Sequence, residues 1–201
     1  LYNIGIIKTN KLVEVDRASL VAGYVGQTAI KTKEVVMEAM DGVLFIDEAY
    51  SLSKGGPNDF GKEAIDTLVK LMDDYRDRII VILAGYNDEM DEFLSVNAGL
   101  KSRFPNIIKF NDYNVDELIE IAEKLFASHG YQIEAKAKEK LSNIFDVAKK
   151  DSQFGNGRYV RNVYDRAINK QAIRLSEKSD LTKNDLVTIL ESDIEEVWEN
   201  E

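Results

Sequence analysis

The first half of the chain alternates between two patterns of apolar residues, one typical of strands and the other of helices. Short apolar runs lie at 12–16, 42–49, 79–84 and 107–110. Apolar positions recur at helical spacing over 30–40 and 64–75, with charged residues on the other side. Continuous apolar strands separated by helices indicate a parallel sheet covered on both faces. The first half therefore predicts an α/β fold.

The pattern changes after Asp112, where only helical spacing follows. Asn114 and Glu117 have the spacing of a capping box and predict the start of a helix. Further helices are expected over 135–150, from about Arg158 onward, and after Thr182. We expect two domains, an α/β domain over 1–112 and a small all-helical domain over 113–201.

Composition narrows the possible partners. The 201 residues carry a net charge of −10, and the pI is about 4.8, which disfavours a general grip on nucleic acid. The apolar runs are far shorter than the ~20 residues of a membrane span. There are no cysteines, which excludes disulfides and thiolate metal sites and fits a cytoplasmic protein. We therefore expect neither a nucleic-acid partner nor a membrane partner.

The sequence VLFIDE at 43–48 carries the strongest chemical signal. Four apolar residues predict a buried strand, and Asp47 and Glu48 follow at its carboxyl end, where ligands bind in open α/β sheets. A nucleotide hydrolase needs one carboxylate to organise Mg²⁺ and another to orient and polarise water. Asp47 suits the first role and Glu48 the second. The alternative is an ordinary acidic turn or helix cap.

A second stretch, GPNDFGKE at 56–63, imitates the phosphate-loop pattern G-x-x-x-x-G-K-[ST]. Glu63 stands where a hydroxyl should bind magnesium, and its carboxylate would oppose the phosphates. The stretch also comes after the VLFIDE strand. The residues that lead directly into it are SLSKG, which is not a buried strand. We interpret it as a loop that leads into the helix predicted over 64–75.

Five motifs occur in one order along nearly the whole chain. They are GYVGQTA, GVLFIDEAYSL, VILAGYNDEM, NAGLKSRF and GNGRYVRN. In this order the chain resembles AAA+ ATPases of the CbbX/CfxQ type, a group that includes red-type rubisco activase and stage V sporulation protein K. Each motif is modest alone, but the ordered set is specific. The resemblance implies ATP and Mg²⁺ as ligands.

The resemblance also implies roles for the residues of the hydrolytic site. Asp47 and Glu48 match the Walker B acids, with Asp47 holding Mg²⁺ through water and Glu48 activating the attacking water. Asn87 matches sensor 1, which positions that water, although it could simply stabilise a turn. Arg103 matches the arginine finger that reaches the nucleotide of a neighbouring subunit, although it could form a surface ion pair.

Other positions match residues that contact the nucleotide or a polypeptide. Arg158 matches sensor 2 on the helical lid, with Arg161 as a second candidate, but Arg158 could also be a helix-start residue without a ligand. Tyr24 and Val25 match the pore loop that grips a threaded polypeptide, with a buried turn aromatic as the alternative for Tyr24. Lys62 lies in a loop that faces the pore in the family, so it is a possible substrate contact.

The implied protein is a ring, with six subunits expected, that remodels a protein substrate. In the family the phosphate loop lies on strand 1, upstream of the part that aligns with LYNIGII at 1–7. We therefore expect the chain to begin inside an element and to lack that loop. A non-hydrolysing assembly or interaction module is the alternative function.

The family sheet order, 5-1-4-3-2, adds a structural expectation. Strand 1 would separate the strands at 79–84 and 107–110, so without it both would have unpaired inner edges. Buried unpaired backbone groups are costly. We expect the gap to be closed by rearrangement or by a borrowed strand.

Overall fold

The structure is a computed structural model that describes residues 1–24, 26–56, 59–96, 98–151 and 154–196. The chain divides into two compact units, Leu1–Lys109 and Phe110–Glu201. Each unit has its own cluster of buried apolar side chains.

A three-stranded parallel sheet forms the centre of the first unit. Its strands are β1 (Leu12–Val15), β2 (Val43–Ile46) and β3 (Ile80–Leu83), in the order β1-β2-β3. In the central strand, Leu44 and Ile46 are completely buried and Val43 nearly so. Because neighbouring side chains point to opposite faces, both faces of β2 are covered. The prediction of a covered parallel sheet is confirmed.

The described residues of the first unit also form helices. They are α1 (Arg17–Leu20), α2 (Gln27–Glu38), α3 (Gly61–Asp74), α4 (Asn87–Val96) and α5 (Ala98–Arg103). The helices predicted over 30–40 and 64–75 are present, and each begins three residues earlier than expected. The chain after β2 makes a 3-10 turn, Ala49–Ser53, before α3 begins.

The predicted fourth strand at 107–110 is wrong. These residues form no strand, and Ile107, Ile108 and Phe110 are 61%, 79% and 87% exposed. A strand is stabilised by hydrogen bonds to a neighbouring strand. The apolar residues at 107–110 do not by themselves indicate whether such a neighbour is present. Among the described residues, β3 pairs with β2 alone. The expected rearrangement is therefore absent from this part of the chain, and a strand borrowed from another chain stays a prediction.

The second unit is mainly helical. Its helices are α6 (Val115–Ser128), α7 (Ala135–Ala148), α8 (Gly157–Ser176) and α9 (Lys183–Val187). Asn114 and Glu117 form the predicted capping box, with hydrogen bonds of 2.9 and 2.8 Å. Thr182 caps α9 as expected. The expectation of helices only is wrong in one detail, since two short strands pair in parallel, β4 (Gln132–Ile133) and β5 (Thr188–Ile189). Two residues are too few to show a strand pattern.

A tight backbone contact at the start of α3 gives a first prediction. A Cβ added to Gly61 would lie 2.0 Å from the carbonyl oxygen of Leu52, whereas one added to Gly56 would meet no atom of the described residues within 4 Å. We expect Gly61→Ala to lower the free energy of unfolding by about 1–3 kcal/mol, because the backbone must shift. Urea unfolding measures this, with Gly56→Ala as the matched control. Equal stability of the two variants would contradict the contact.

An ion pair in the second unit gives another prediction. Asp193 is 1% exposed and accepts two hydrogen bonds from Arg174, at 2.7 and 2.8 Å. Removing Asp193 leaves the Arg174 guanidinium, whose side chain is only 24% exposed, without its partner. We expect Asp193→Ala to lower the free energy of unfolding by about 3 kcal/mol. The control is Glu120→Ala, which breaks an exposed ion pair with Lys124. This variant should change the free energy of unfolding by less than about 0.5 kcal/mol. A small effect at Asp193 would contradict the prediction.

Candidate functional site

Two acidic residues lie directly beyond the carboxyl end of β2, at the centre of the sheet. Asp47 N donates to Val15 O at 2.9 Å, which ties the turn to β1. Ala49 N donates to Ala84 O at 3.0 Å, which ties it to the end of β3. Both acidic side chains are exposed. The two neighbouring strands therefore fix the backbone beneath Asp47 and Glu48, and their carboxylates face solvent.

Glu48 has an unusual backbone conformation. Its φ of 45° and ψ of 44° lie in the left-handed region, which costs roughly 1–2 kcal/mol for a residue other than glycine. The Asp47 carboxylate supports it by accepting from Glu48 N at 2.9 Å. Strained residues of this kind are concentrated at functional sites. The strain is consistent with the chemical role predicted for Glu48.

The surroundings of this turn are acidic. Burial, and then the negative charges of Glu48 and Glu89, raise the pKa of the Tyr50 hydroxyl. Lys54 lies 4.4 Å from the centre of the Tyr50 ring and 3.9 Å from the Glu89 carboxylate. The excess of carboxylates favours a cation at this edge of the sheet.

The carboxylates of Asp47 and Glu48 suit Mg²⁺. Mg²⁺ prefers oxygen ligands, keeps several waters, and is often held by one or two carboxylates together with substrate phosphates. In the part of the chain that the structure describes, no group of three or more His, Cys, Asp or Glu side chains could hold a metal by itself. The donors fit an ion shared with a nucleotide better than a closed protein site.

Asn87 is the first residue of α4, close in sequence to the end of β3. It is exposed, and its side chain makes no hydrogen bond within the described ranges, so no such bond supports the turn-stabilising alternative. Gly85 allows the backbone after β3 to lie close to Tyr50 and Met90. A Cβ at Gly85 would lie 2.7 Å from the Tyr50 ring and 2.9 Å from Met90 Sδ. Only glycine fits without a shift, and Asn87 then follows at the carboxyl edge of the sheet.

Arg103 ends α5 and forms an ion pair within its own unit. Its Nε donates to Asp73 Oδ1 at 3.0 Å, its Nη2 bonds the other oxygen of Asp73, and its Nη1 donates to Gly99 O at 3.0 Å. The hydrogen bond from Arg103 holds the pKa of Asp73 below its usual value. The ion-pair alternative from the sequence is thus observed, and the arginine-finger role stays a prediction.

Arg158 and Arg161 lie in the first turns of α8, in the second unit, and both are exposed. The structure places them on a separate unit from Asp47, so their proposed contact with the nucleotide stays a prediction.

Asn156, which precedes α8, is a residue that the sequence analysis missed. Its φ is 50°, its Oδ1 accepts from Tyr113 N at 3.0 Å, and its Nδ2 donates to Asp112 Oδ1 at 2.7 Å. It therefore ties the segment before α6 to the helix that carries Arg158. The Asn-Gly pair at this position was the available signal, because that dipeptide favours left-handed backbone.

The candidate substrate-contacting residues lie at two places. Tyr24 is 73% exposed, so the alternative of a buried turn aromatic is wrong. Val25 lies outside the described residues. Lys62 is exposed and follows the first residue of α3, and a 3-10 turn rather than a strand precedes that helix. For residues 56 and 59–63 this placement agrees with the interpretation as a loop and helix start, while residues 57 and 58 lie outside the described residues.

Known families and structures match both units. Residues 4–112 match the ATPase family associated with various cellular activities (AAA), and residues 114–201 match the AAA lid domain. The crystal structure of the FIGL-1 AAA domain has a TM-score of 0.61 at 15% identity, over 93% of this chain and 63% of that one, and shows the shared fold. The chain belongs to the AAA family.

Within that family, the chain is similar to proteins of the CbbX/CfxQ type, as the motifs indicated. It is 46% identical to stage V sporulation protein K of Bacillus subtilis, over 96% of this chain and 61% of that protein. It is 42% identical to CbbX of Cereibacter sphaeroides, over 96% and 64%. It is 43% identical to the chloroplastic ribulose bisphosphate carboxylase/oxygenase activase of Cyanidioschyzon merolae, over 96% and 67%. The chain thus spans about two thirds of these relatives' length. No helix within the described ranges has the length and apolar character needed to cross a bilayer.

Proposed function

We propose that this chain is part of a cytoplasmic, ATP-dependent AAA+ protein that assembles as a ring of six and remodels a protein substrate. The observation that carries the proposal is the strained acidic turn beyond β2, which β1 and β3 fix from both sides. Membership of the AAA family supports nucleotide binding. In this proposal 1–112 forms the nucleotide-binding core and 113–201 the lid.

The proposed roles of the residues are those that the family resemblance implies, and the exposed position of Asp47 and Glu48 beyond β2 is consistent with them. Asp47 holds Mg²⁺ through water, and the ion, when bound, neutralises phosphate charge. Glu48 accepts a proton from the attacking water, which an exposed carboxylate on a fixed backbone can orient. Asn87 positions that water through its amide. Arg103 acts on the nucleotide of the neighbouring subunit, and Arg158, with Arg161 as second candidate, contacts the γ-phosphate from the lid.

The proposed partners are further copies of the chain and a polypeptide substrate. The name of one relative, an activase of ribulose bisphosphate carboxylase/oxygenase, describes action on another protein. The high exposure of Tyr24 suits a residue that grips polypeptide, and Val25 and Lys62 are proposed to act with it. The acidic net charge of −10 supports a partner other than nucleic acid.

The test is phosphate release by the full-length protein with ATP and Mg²⁺, combined with the mass of the assembly in solution. We expect release that stops when EDTA removes Mg²⁺, and a ring whose population rises with ATP. A protein that binds no ATP and releases no phosphate would contradict the proposal.

A non-hydrolysing assembly module is the second candidate. The observation that favours it is that GPNDFGKE at 56–63, which partly matches the phosphate-loop pattern, carries Glu63 where a hydroxyl should bind magnesium. Calorimetry on the 201 residues separates the two functions. Micromolar, Mg²⁺-dependent binding of ATP would contradict the non-hydrolysing function. If the 201 residues bind no ATP, the phosphate-release test on the full-length protein decides whether ATP is hydrolysed.

A further inference from the structure

Arg17, the first residue of α1, joins two segments that are distant in sequence. Its Nη1 donates to Ser51 O at 2.6 Å, and its Nη2 bonds the carboxylate of Asp59. The side chains of Arg17 and Asp59 are only 29% and 22% exposed. A partly desolvated, charge-assisted pair of this kind is stronger than an ion pair in open solvent.

The Asp59 end of this contact fixes the start of α3. Asp59 Oδ1 accepts from Gly61 N at 2.7 Å, so the residue that Arg17 holds also holds the first residue of the helix. Lys62 follows immediately. The close approach at Gly61 leaves the segment little freedom, because Arg17 Nη1 lies 3.0 Å from where a Cβ would be. The position of Lys62 therefore depends on Arg17 through Asp59.

The other end of α1 leads to Tyr24. Lys31 donates to Val21 O at 3.2 Å, and the buried hydroxyl of Thr28 accepts from Ala22 N at 3.0 Å. These bonds fix the backbone to within two residues of the exposed Tyr24. The Tyr24 segment, residues 18–24, is therefore tied to α2 by Lys31 and Thr28, and it continues directly from Arg17.

A third connection reaches the acidic turn. Ser51 N donates to Glu48 O at 2.8 Å, while the carbonyl of the same residue accepts from Arg17. The Arg17 guanidinium thus contacts both the 3-10 turn that follows Glu48 and Asp59, just before α3. The backbone of Arg17 is part of α1.

We propose that Arg17 is a positioning residue that holds the Tyr24 segment and the Lys62 segment in one arrangement with the Glu48 turn. This rests on the proposed function, in which Tyr24 and Lys62 contact an extended polypeptide and Glu48 acts on ATP. Removing the guanidinium would leave each segment folded locally, since each keeps its other hydrogen bonds. It would remove the direct connection between them.

The test is hydrogen exchange of the full-length protein, with Arg17→Gln compared with Arg78→Gln. Arg78 forms a similar two-bond pair with Asp41, at 3.0 and 2.6 Å, but at the amino ends of β2 and β3. Without nucleotide, we expect Arg17→Gln to speed exchange about fivefold in peptides covering 18–24 and 59–64 together. Arg78→Gln should leave both peptides as in the unmodified protein. Unchanged exchange in Arg17→Gln would overturn the positioning role.

Two further variants separate positioning from a general loss of stability. Asp59→Asn keeps the side-chain shape but removes the charge, so it should reproduce the effect of Arg17→Gln. Arg17→Lys keeps the charge but has no fork to bond Ser51 and Asp59 together, so it should be intermediate. A uniform increase of exchange across the whole unit, rather than in the two peptides, would contradict the proposal.

A second readout tests the connection to the nucleotide. In the unmodified protein, ATP is expected to change exchange in both peptides, and Arg17→Gln should reduce that response at least about threefold. A full response in Arg17→Gln would overturn the connection. If the unmodified protein neither binds nor hydrolyses ATP, the proposed function fails, and the comparison without nucleotide still decides whether Arg17 positions the two segments.

Discussion

Glu48→Gln in the full-length protein is expected to lower ATP hydrolysis about 100-fold or more while leaving ATP binding intact. Glutamine keeps the shape of the side chain but cannot accept a proton from water, and general-base catalysis contributes typically 10²–10⁴-fold. The backbone of the turn should be unchanged, because its hydrogen bonds come from main-chain groups and Asp47. Phosphate release and calorimetry measure the two quantities separately.

The control for this variant is Glu89→Gln. Glu89 is another carboxylate near Tyr50, and it lies on α4, so its removal changes the local charge by the same amount. We expect hydrolysis within about threefold of the unmodified protein, since a nearby exposed charge has a small effect. Equal activity of Glu48→Gln and the unmodified protein would show that the role proposed for Glu48 is wrong.

Arg103→Ala is expected to lower hydrolysis still further, by about a thousandfold or more, because arginine fingers contribute ~10³–10⁵ in rate. The variant also breaks the ion pair with Asp73 inside its own unit. Asp73→Asn therefore serves as the control, since it weakens that pair and keeps the guanidinium. We expect Asp73→Asn to retain hydrolysis within a few-fold.

Mixing the two inactive variants tests whether Arg103 acts across subunits. In a mixed ring, a subunit with Arg103→Ala keeps Glu48, and a neighbour with Glu48→Gln keeps Arg103. Random assembly places both intact groups at roughly a quarter of the interfaces of a head-to-tail ring. Phosphate release should therefore return on mixing. Continued inactivity would contradict action in trans.

The fold was predictable where apolar pattern and burial agree. Strands β2 and β3 follow from uninterrupted apolar runs, and α6 follows from its capping box. The run at 107–110 failed because pairing depends on a neighbour that no local pattern encodes. Helix α1 was missed because its four residues are too few to show a period, although Asp16 accepts from Ser19 N as a helix cap would.

The acidic pair of the site was predictable because its position relative to a buried strand is local in sequence. The contacts of Arg17, Arg103 and Asn156 were not. Their long-range partners lie between 30 and 44 residues away, at Ser51, Asp59, Asp73, Asp112 and Tyr113. An arginine or an asparagine has the same appearance in a sequence whether it meets a partner or solvent. Only the tertiary fold identifies which polar residues are connected.

Within the part of the chain that the structure describes, one side of β3 has no strand partner, and this has a consequence for work with the protein. An exposed strand edge is a template that can pair with a strand from any other chain, including a second copy. Ile82 in that strand is 39% exposed, and Ile107 and Ile108 add further exposed apolar surface in the same unit. We therefore expect association of these 201 residues to increase with protein concentration, and their stability is best measured first in dilute samples.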